Sequence, residues 1–233
     1  MLDNNFWNKY FKVYDILNKV IPYQELLAEV VRETRVKKGD LILDAGSGTG
    51  NLAVLLKKQG GQVVALDYSK EALEIYLEKD REAVVVQHDL AEKLNFPDNY
   101  FDKIVSVNVL FNLDREVRKE TVREFYRTIK PRGKIILVNL LNGFKPFKIY
   151  LDHFKKSKKQ KGVFLNVIEL LQFVIPSLKI LYYANKIKKN GNQKNVLFNH
   201  GEQKELLGKM GFRDISENKS VYSNQAILNS AIK

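Results

Sequence analysis

The stretch Leu41-Ile42-Leu43-Asp44-Ala45-Gly46-Ser47-Gly48-Thr49-Gly50 decides the fold of this 233-residue chain. Its first part is a short apolar run that ends in an acid, which is typical of a buried β-strand. Glycines follow at three alternate positions, and residues 51–58 then carry leucines on one helical face. Glycine lets the backbone turn tightly and lets a ligand approach it, and a new helix offers free N–H groups at its start. The stretch therefore predicts a strand, a ligand-binding turn and a helix.

The spacing of the glycines narrows the choice of ligand. Gly46 and Gly48 fit the first two positions of the dinucleotide motif G-x-G-x-x-G, but Asn51 stands at the third. The Gly-Lys-Ser/Thr ending of a phosphate-binding P-loop is absent. This pattern disfavours an NAD-dependent dehydrogenase, and a plain strand–helix turn stays open as the simpler interpretation.

The composition sets outer limits on the class of protein. The length suits one α/β domain with room for an insertion. With no cysteine in the chain, disulfides, thiolate metal sites and mechanisms with a cysteine nucleophile are excluded. Met1 to Tyr10 does not resemble a signal peptide, and no run approaches the roughly 20 apolar residues of a membrane-spanning helix. We therefore expect a cytoplasmic protein, and no metal site is predicted.

The net charge of +12 is concentrated in one part of the chain. Residues 144–195 contain twelve lysines, no arginine and two acids, Asp152 and Glu169, and so carry +10 of that charge. The rest of the chain is nearly neutral, so one window holds the basic character.

Strand and helix patterns alternate along most of the chain. After the first strand and helix, strands are predicted at 62–67, 83–87, 103–108 and 134–139. Helices are predicted at 22–34, 118–129 and 203–210, with Ser69 as the N-cap of another and an antiparallel hairpin at 218–224. The alternation predicts an α/β fold with a doubly wound, mainly parallel, seven-stranded sheet of the Rossmann-like type.

Polar residues stand where the predicted strands end, which is where ligands bind in open parallel sheets. Asp67 follows Gly46 by 21 positions, the distance at which an acid accepts hydrogen bonds from ribose hydroxyls. Tyr68 is placed to pack beside an adenine, although an exposed loop aromatic is the simpler alternative. Asn108 ends the fourth predicted strand.

Several motifs together resemble the class I S-adenosylmethionine-dependent methyltransferases, especially those of quinone biosynthesis and other small molecules. They are the D-x-G-x-G-x-G turn from Asp44 to Gly50, the Tyr14-Asp15 opening, the loop 94–102 and the run Lys130-Pro131-Arg132-Gly133. The resemblance covers about residues 6–140 and resumes near Asn199. It implies S-adenosyl-L-methionine as the cofactor.

The resemblance also implies which residues bind that cofactor. Asp44 would lie near the methionine ammonium and Asp89 would accept from the adenine amino group, while Asn108 and Phe111 would line the transfer site. The full set of predicted cofactor-binding residues is Tyr14, Asp44, Ala45, Gly46, Ser47, Gly48, Gly50, Asp67, Tyr68, Asp89, Leu90 and Asn108.

Methyl transfer from a sulfonium is an in-line displacement, so alignment and exclusion of water suffice and no metal is required. No catalytic residue is assigned. The candidates for a general base are His153, His200, Tyr14 and Asp15.

The predicted function is methyl transfer to a small or amphipathic acceptor. An RNA methyltransferase is the first alternative, because of the net charge. Against it, Asn108-Val109-Leu110-Phe111 replaces the N/D-P-P-Y motif of many enzymes that methylate nucleobase amines. A non-catalytic protein that binds the cofactor or docks on membranes is a second alternative.

Residues 141–198 are predicted to form a helical cap that holds the substrate, within a single methyltransferase domain spanning 1–233. Val163 to Ile175 is almost continuously apolar and lysines flank it. Such a helix either caps the active site or meets a lipid surface. The expected partners are therefore a small-molecule or lipid-like acceptor and an anionic membrane surface, with RNA less favoured.

Overall fold

A computed structural model describes residues 15–159 and 197–233, together with the isolated positions Lys179 and Tyr182. Tyr14 and the helix predicted at Val163 to Ile175 lie outside the described residues. The described helices are α1 (Ile21–Thr34), α2 (Asn51–Lys58), α3 (Lys70–Lys79), α4 (Arg115–Thr128), α5 (residues 146–159) and α6 (Glu202–Lys209). The strands are β1 (Leu41–Ala45), β2 (Gln62–Asp67), β3 (Val84–Gln87), β4 (Phe101–Val107), β5 (Ile129–Leu140), β6 (Lys219–Val221) and β7 (Ala226–Ile232).

The seven strands form one sheet in the order β3-β2-β1-β4-β5-β7-β6. The first five are parallel, while β7 runs antiparallel to both β5 and β6. The α/β architecture with a mainly parallel sheet is therefore confirmed. The strand order reverses between β1 and β4, and in sheets of this kind ligands bind in the crevice beside such a reversal.

Both faces of the sheet are buried, which explains why the parallel strands are continuously apolar. Alternate residues enter different layers: Ile42 packs with α1, α2 and α3, and Leu43 packs with α4 and α6. The two layers together position the carboxyl ends of the strands as a rigid edge.

The antiparallel hairpin predicted at 218–224 is observed as β6 and β7, which extend it to Ile232, and several other element boundaries also differ from the prediction. Helix α4 begins at Arg115, after Asp114, so Arg118 lies in its first turns and not at its start. The Arg118 side chain is buried. Strand β4 begins at Phe101, because Phe101 pairs with Ile129 before the register shifts. Strand β5 begins at Ile129 and not at the predicted residue 134, because the run 131–133 forms that irregularity within the strand, where Arg132 adopts a positive φ of 64°.

The segment predicted as a cap leaves and rejoins the core at one point. Leu141 and Phe198 form an isolated parallel bridge, and the N–H of Asn142 donates to the Phe198 carbonyl over 2.8 Å. Helix α5 follows Leu141 and buries Ile149 and His153. In the described part of the chain, no helix combines the length and apolar character needed to span a membrane.

Candidate functional site

The glycine-rich turn after β1 is fastened to the end of β2. The N–H groups of Gly46 and Ser47 donate to the Leu66 carbonyl over 2.7 and 3.0 Å. The Gly48 N–H donates to Asp67 Oδ2 over 2.8 Å. The turn therefore presents its backbone beside the Asp67 carboxylate, where the sequence predicts a bound ribose.

The three glycines of the turn serve different purposes. All have positive φ, at 81° for Gly46, 53° for Gly48 and 76° for Gly50. A Cβ on Gly46 would lie 2.2 Å from Val109 and one on Gly50 would lie 2.1 Å from the Tyr76 ring. A Cβ on Gly48 would meet nothing within 4 Å. Gly46 and Gly50 are thus required by packing, whereas Gly48 faces open space.

Asp44 at the end of β1 is a buried carboxyl in an unfavourable environment. It is 2% exposed. Burial and the charge of Asp67 raise its pKa to about 7, despite a hydrogen bond from the Ala53 backbone. A cation placed beside Asp44 would reverse this effect, because an opposite charge favours the ionised form.

Unsatisfied polar atoms collect around the turn. In the described part of the chain, four atoms of this region are buried without a hydrogen-bond partner: Asp44 Oδ2, Ser47 Oγ, Tyr76 Oη and Asn108 Oδ1. Such atoms are rare in folded proteins, because each costs about 1–3 kcal/mol. A ligand with an ammonium group and several hydrogen-bonding groups fits them, so the residues present suit an amino-acid-bearing cofactor.

The site continues across the ends of β2 and β3. Asp67 accepts from the Gly48 N–H and, through Oδ1, from the Ser69 N–H over 2.9 Å, and the Tyr68 backbone also donates to it, which leaves room for a further donor on the carboxylate. Burial raises the pKa of Asp67 against these hydrogen bonds. Tyr68 is 57% exposed. Asp67 and Tyr68 thus lie at one edge, open to a ligand.

The predicted adenine end of the site lies beyond β3. The Asp89 Oδ1 atom accepts from the Ala91 N–H over 2.8 Å. Leu90 is buried, and its carbonyl accepts from Thr121 Oγ1 on α4 over 2.8 Å. The His88 N–H donates to the Asp67 carbonyl, so this turn is joined directly to the end of β2.

The loop after β4 lies on the other side of the point where the strand order reverses. Asn108 has a φ of 57° and its N–H donates to the Val138 carbonyl over 2.7 Å. A short 3-10 turn at Leu110–Asn112 follows. The Phe111 N–H donates to Asn139 Oδ1 over 3.3 Å. We call residues 108–113 the transfer loop, since the prediction places methyl transfer here.

A polar cluster that the sequence did not indicate joins the 3-10 turn at Asp15–Lys19 to the start of α2. Asp15 Oδ1 accepts from Thr49 Oγ1 over 2.6 Å, and Lys79 Nζ lies 2.7 Å from Asp15 Oδ2. Lys79 also donates to the Thr49 carbonyl and to Asn51 Oδ1, each over 2.9 Å. The partners come from three separate elements, so no local pattern could have indicated them.

The candidates for a general base have different surroundings. Asp15 belongs to the cluster just described. His153 is buried, and its Nδ1 accepts from the Ile21 N–H over 3.1 Å at the start of α1. His200 is exposed, and Tyr14 lies outside the described residues. Within those residues, no group of three or more His, Asp or Glu side chains is arranged to hold a metal ion.

Comparison with known proteins identifies the family. A model described as "Methyltransferase domain" matches residues 43–137. A demethylmenaquinone methyltransferase from Geobacillus sp. (strain WCH70) is 30% identical over 65% of this chain and 69% of its own. One from Listeria welshimeri is 32% identical over 54% of this chain, and this match spans only 57% of that relative's length.

Among solved structures, magnesium protoporphyrin IX methyltransferase from Synechocystis PCC 6803 with bound SAH superposes with a TM-score of 0.62. It is 17% identical, with 97% of this chain and 93% of that one covered, so the likeness concerns the fold. The sequence relatives agree with this fold, with the glycine-rich turn and with the unsatisfied polar atoms around it. The chain therefore belongs to the class I methyltransferases, which use S-adenosylmethionine.

Proposed function

We propose that this methyltransferase transfers the methyl group to a small, amphipathic acceptor of the quinone type. The observation that carries the proposal is the group of buried polar atoms without partners that extends from the glycine-rich turn to Asn108 of the transfer loop. The cofactor supplies an activated methyl group, and the chain's own residues bind, orient and exclude water.

The predicted cofactor residues have distinct roles in this proposal. Ionised Asp44 binds the ammonium, Asp67 accepts from the ribose, and Tyr68 and Asp89 flank the adenine. The backbone of the glycine-rich turn runs along the amino acid and ribose, and Asn108 faces the transfer site. The burial of Asp44 and the open space at Gly48 support this arrangement.

The nature of the acceptor is inferred from the relatives and from the absence of a nucleobase motif at 108–111. The transfer loop contributes Val109, Leu110 and Phe111 instead, and Phe111 is partly buried against both core layers. Leu110 is fully buried, which leaves the partly buried Val109 and Phe111 as the apolar side chains that an acceptor with a flat apolar body would contact.

Residues 141–198 would complete the acceptor site as a cap, and α5 suggests how that site meets its surroundings. Phe147 is 70% and Leu151 43% exposed, one helical turn apart. Five exposed lysines lie on or beside this helix: Lys145, Lys148, Lys155, Lys158 and Lys159. We include in the proposal that this face docks on an anionic membrane, from which a lipid-like acceptor would be taken.

The acceptor is tested with S-adenosylmethionine labelled in its methyl group. The protein is incubated with short-chain demethylmenaquinone, oxidised and chemically reduced, and in parallel with total RNA at the same salt concentration. We expect label in the organic extract of the quinone and none in RNA. The Asp44→Asn variant serves as the control without cofactor binding.

Label recovered only in RNA would replace the acceptor proposal by the alternative that the net charge suggests. Label in neither substrate would refute a quinone acceptor without affecting the family assignment, which rests on the sequence relatives.

A further inference from the structure

Arg118 on α4 is a buried cation that contacts the transfer loop from behind, that is, from the side of α4. It is 2% exposed. Its Nε donates to the Leu110 carbonyl over 3.0 Å and its Nη2 to the Leu113 carbonyl over 3.2 Å. These carbonyls bracket the 3-10 turn of the loop.

The same guanidinium is joined to the point where the predicted cap rejoins the core. Its Nη1 lies 3.4 Å from Glu202 Oε1 at the start of α6. Its Cζ stands 4.0 Å from the centre of the Phe198 ring. Phe198 in turn pairs with Leu141. One side chain thus connects the transfer loop, α6 and the base of the 141–198 segment.

Fold stability alone does not explain such a residue. Taking a cation out of water is costly, and an apolar side chain of similar size is often as stable or more stable in the same place. Arginine is distinctive because its planar fork offers five donors in fixed geometry. Two of them are used on loop carbonyls, which orients the loop backbone from behind.

In-line displacement makes this orientation matter. The acceptor atom, the methyl group and the leaving sulfur must align closely, and a displacement of about 1 Å can lower the rate roughly 100-fold. The loop is also held to β5, by the hydrogen bonds of Asn108 to Val138 and of Phe111 to Asn139. We propose that Arg118 is a positioning residue for methyl transfer, which fixes the transfer loop from behind through the Leu110 and Leu113 carbonyls.

The test compares Arg118→Met with a matched control, Arg115→Met. Arg115 lies one helical turn earlier, is 59% exposed, and approaches the same Glu202 oxygen at 3.9 Å, yet no hydrogen bond joins it to the loop. Arg118→Lys tests the geometry, since an ammonium lacks the planar fork.

The first measurement is amide hydrogen exchange of the proteins bound to SAH, which is S-adenosylhomocysteine, the form of the cofactor without its methyl group. The Asn112 and Leu113 amides are bonded within the loop, to Val109 and Leu110. In Arg118→Met they should exchange at least tenfold faster than in the wild type, while amides of β4 and β5 are unchanged. Arg115→Met should match the wild type. Faster exchange throughout the sheet would show a structural role and overturn the proposal, as would unchanged exchange in the loop.

The second measurement is single-turnover methyl transfer at saturating S-adenosylmethionine, with the quinone acceptor; this part rests on the proposed function. Arg118→Met should lower the maximal rate at least 30-fold while the Kd for SAH changes less than threefold, and Arg118→Lys should lie between. An unchanged maximal rate in Arg118→Met would overturn the proposal. If the wild type does not methylate the quinone, the acceptor proposal fails and the exchange measurement decides the role of Arg118 by itself.

Discussion

Asp44 connects the stability of the protein with its ligand binding at the scale of one residue. An isolated aspartate has a pKa near 3.8, and burial together with Asp67 raises the pKa of Asp44 to about 7. Between these two values the unfolded chain binds fewer protons than the folded one. The contribution of Asp44 to folding stability is therefore full below about pH 4 and is lost as the pH rises to 7.

Replacing Asp44 by Asn should accordingly stabilise the ligand-free protein. A shift of about three pKa units corresponds to roughly 4 kcal/mol. We expect the Tm of Asp44→Asn to exceed that of the wild type by at least about 5 °C at pH 8, and the difference to vanish near pH 4. Thermal unfolding followed by circular dichroism measures both. A variant less stable than the wild type at pH 8 would contradict the raised pKa.

The same carboxyl should make ligand binding depend on pH. Pairing with the ammonium of SAH requires ionised Asp44, so binding at pH 6 should release most of a proton and binding at pH 7.5 much less. Calorimetry in two buffers of different ionisation enthalpy measures this release. Equal release at both pH values, or none, would remove Asp44 from the site.

Asp67 should contribute to affinity through the ribose. In Asp67→Ala we expect the Kd for SAH to rise at least tenfold, about 1.4 kcal/mol, because charge-assisted hydrogen bonds are lost. Asp98→Ala is a suitable control. Asp98 lies on the loop before β4, is exposed, and forms an ion pair with Arg127 of α4. Unchanged affinity, or tighter binding of NAD than of SAH, would refute the assignment.

The glycine series separates packing from ligand contact. Alanine at any of the three positions bears a left-handed backbone cost of about 1–2 kcal/mol. Gly46→Ala and Gly50→Ala add a collision with Val109 or Tyr76, so both should fold poorly. Gly48→Ala and Gly48→Val should remain folded and yet lose SAH binding, which calorimetry and circular dichroism measure together. Normal binding by Gly48→Val would show that the loop is only a turn.

Single residues were predictable where a local pattern carries them. The strand-ending acids and the glycines follow from spacing, because a strand end has a fixed place in a parallel sheet. Arg118 was not predictable as a loop contact, although Leu110 and Leu113 are only eight and five positions away, because an arginine in a helical pattern indicates an exposed side chain and its other partner, Glu202, lies 84 positions away. The Asp15–Lys79 pair is equally non-local and needed the folded chain.

At the scale of elements, β2 and α2 were predicted with the observed bounds, because Gly60 and Gly61 and the glycine-rich turn delimit them sharply. Helix α4 was predicted to begin three residues too late and to end one residue too late. Its first turn contains Arg115 and Glu116, which are exposed and carry no apolar periodicity. The start of β5 was missed because proline and glycine indicate a turn, whereas here they lie in a bulged strand.

Helix α5 makes a testable prediction about membranes. The protein should float with vesicles containing anionic lipid but not with neutral vesicles, and binding should fade with added salt. Phe147→Ser with Leu151→Ser should reduce binding at least tenfold. Val84→Ser, which removes an equally exposed apolar side chain at the β3 edge, should not. If the double variant and the Val84→Ser control float equally, the Phe147–Leu151 face of α5 is not the membrane-binding surface.

For the whole molecule, the strand order places the crevice where the two halves of the sheet meet. A ligand that binds only the folded state stabilises it by about 2.7 kcal/mol at 100 times its Kd. SAH at that concentration should therefore raise the Tm by roughly 5–10 °C. NAD at equal concentration should leave the Tm unchanged, and an equal rise with NAD would argue for a dinucleotide site.

The Leu141–Phe198 bridge bears on how such a protein can diverge during evolution. Both ends of the intervening segment meet at one place on the sheet, so the length of chain after α5, whose Ile149 and His153 pack on the core, can change without moving that junction. Closing a flexible loop costs only about 0.6 kcal/mol more for each doubling of its length. Selection can therefore lengthen, shorten or replace this segment, and so explore new acceptors, while the strand ends and the glycine-rich turn stay untouched.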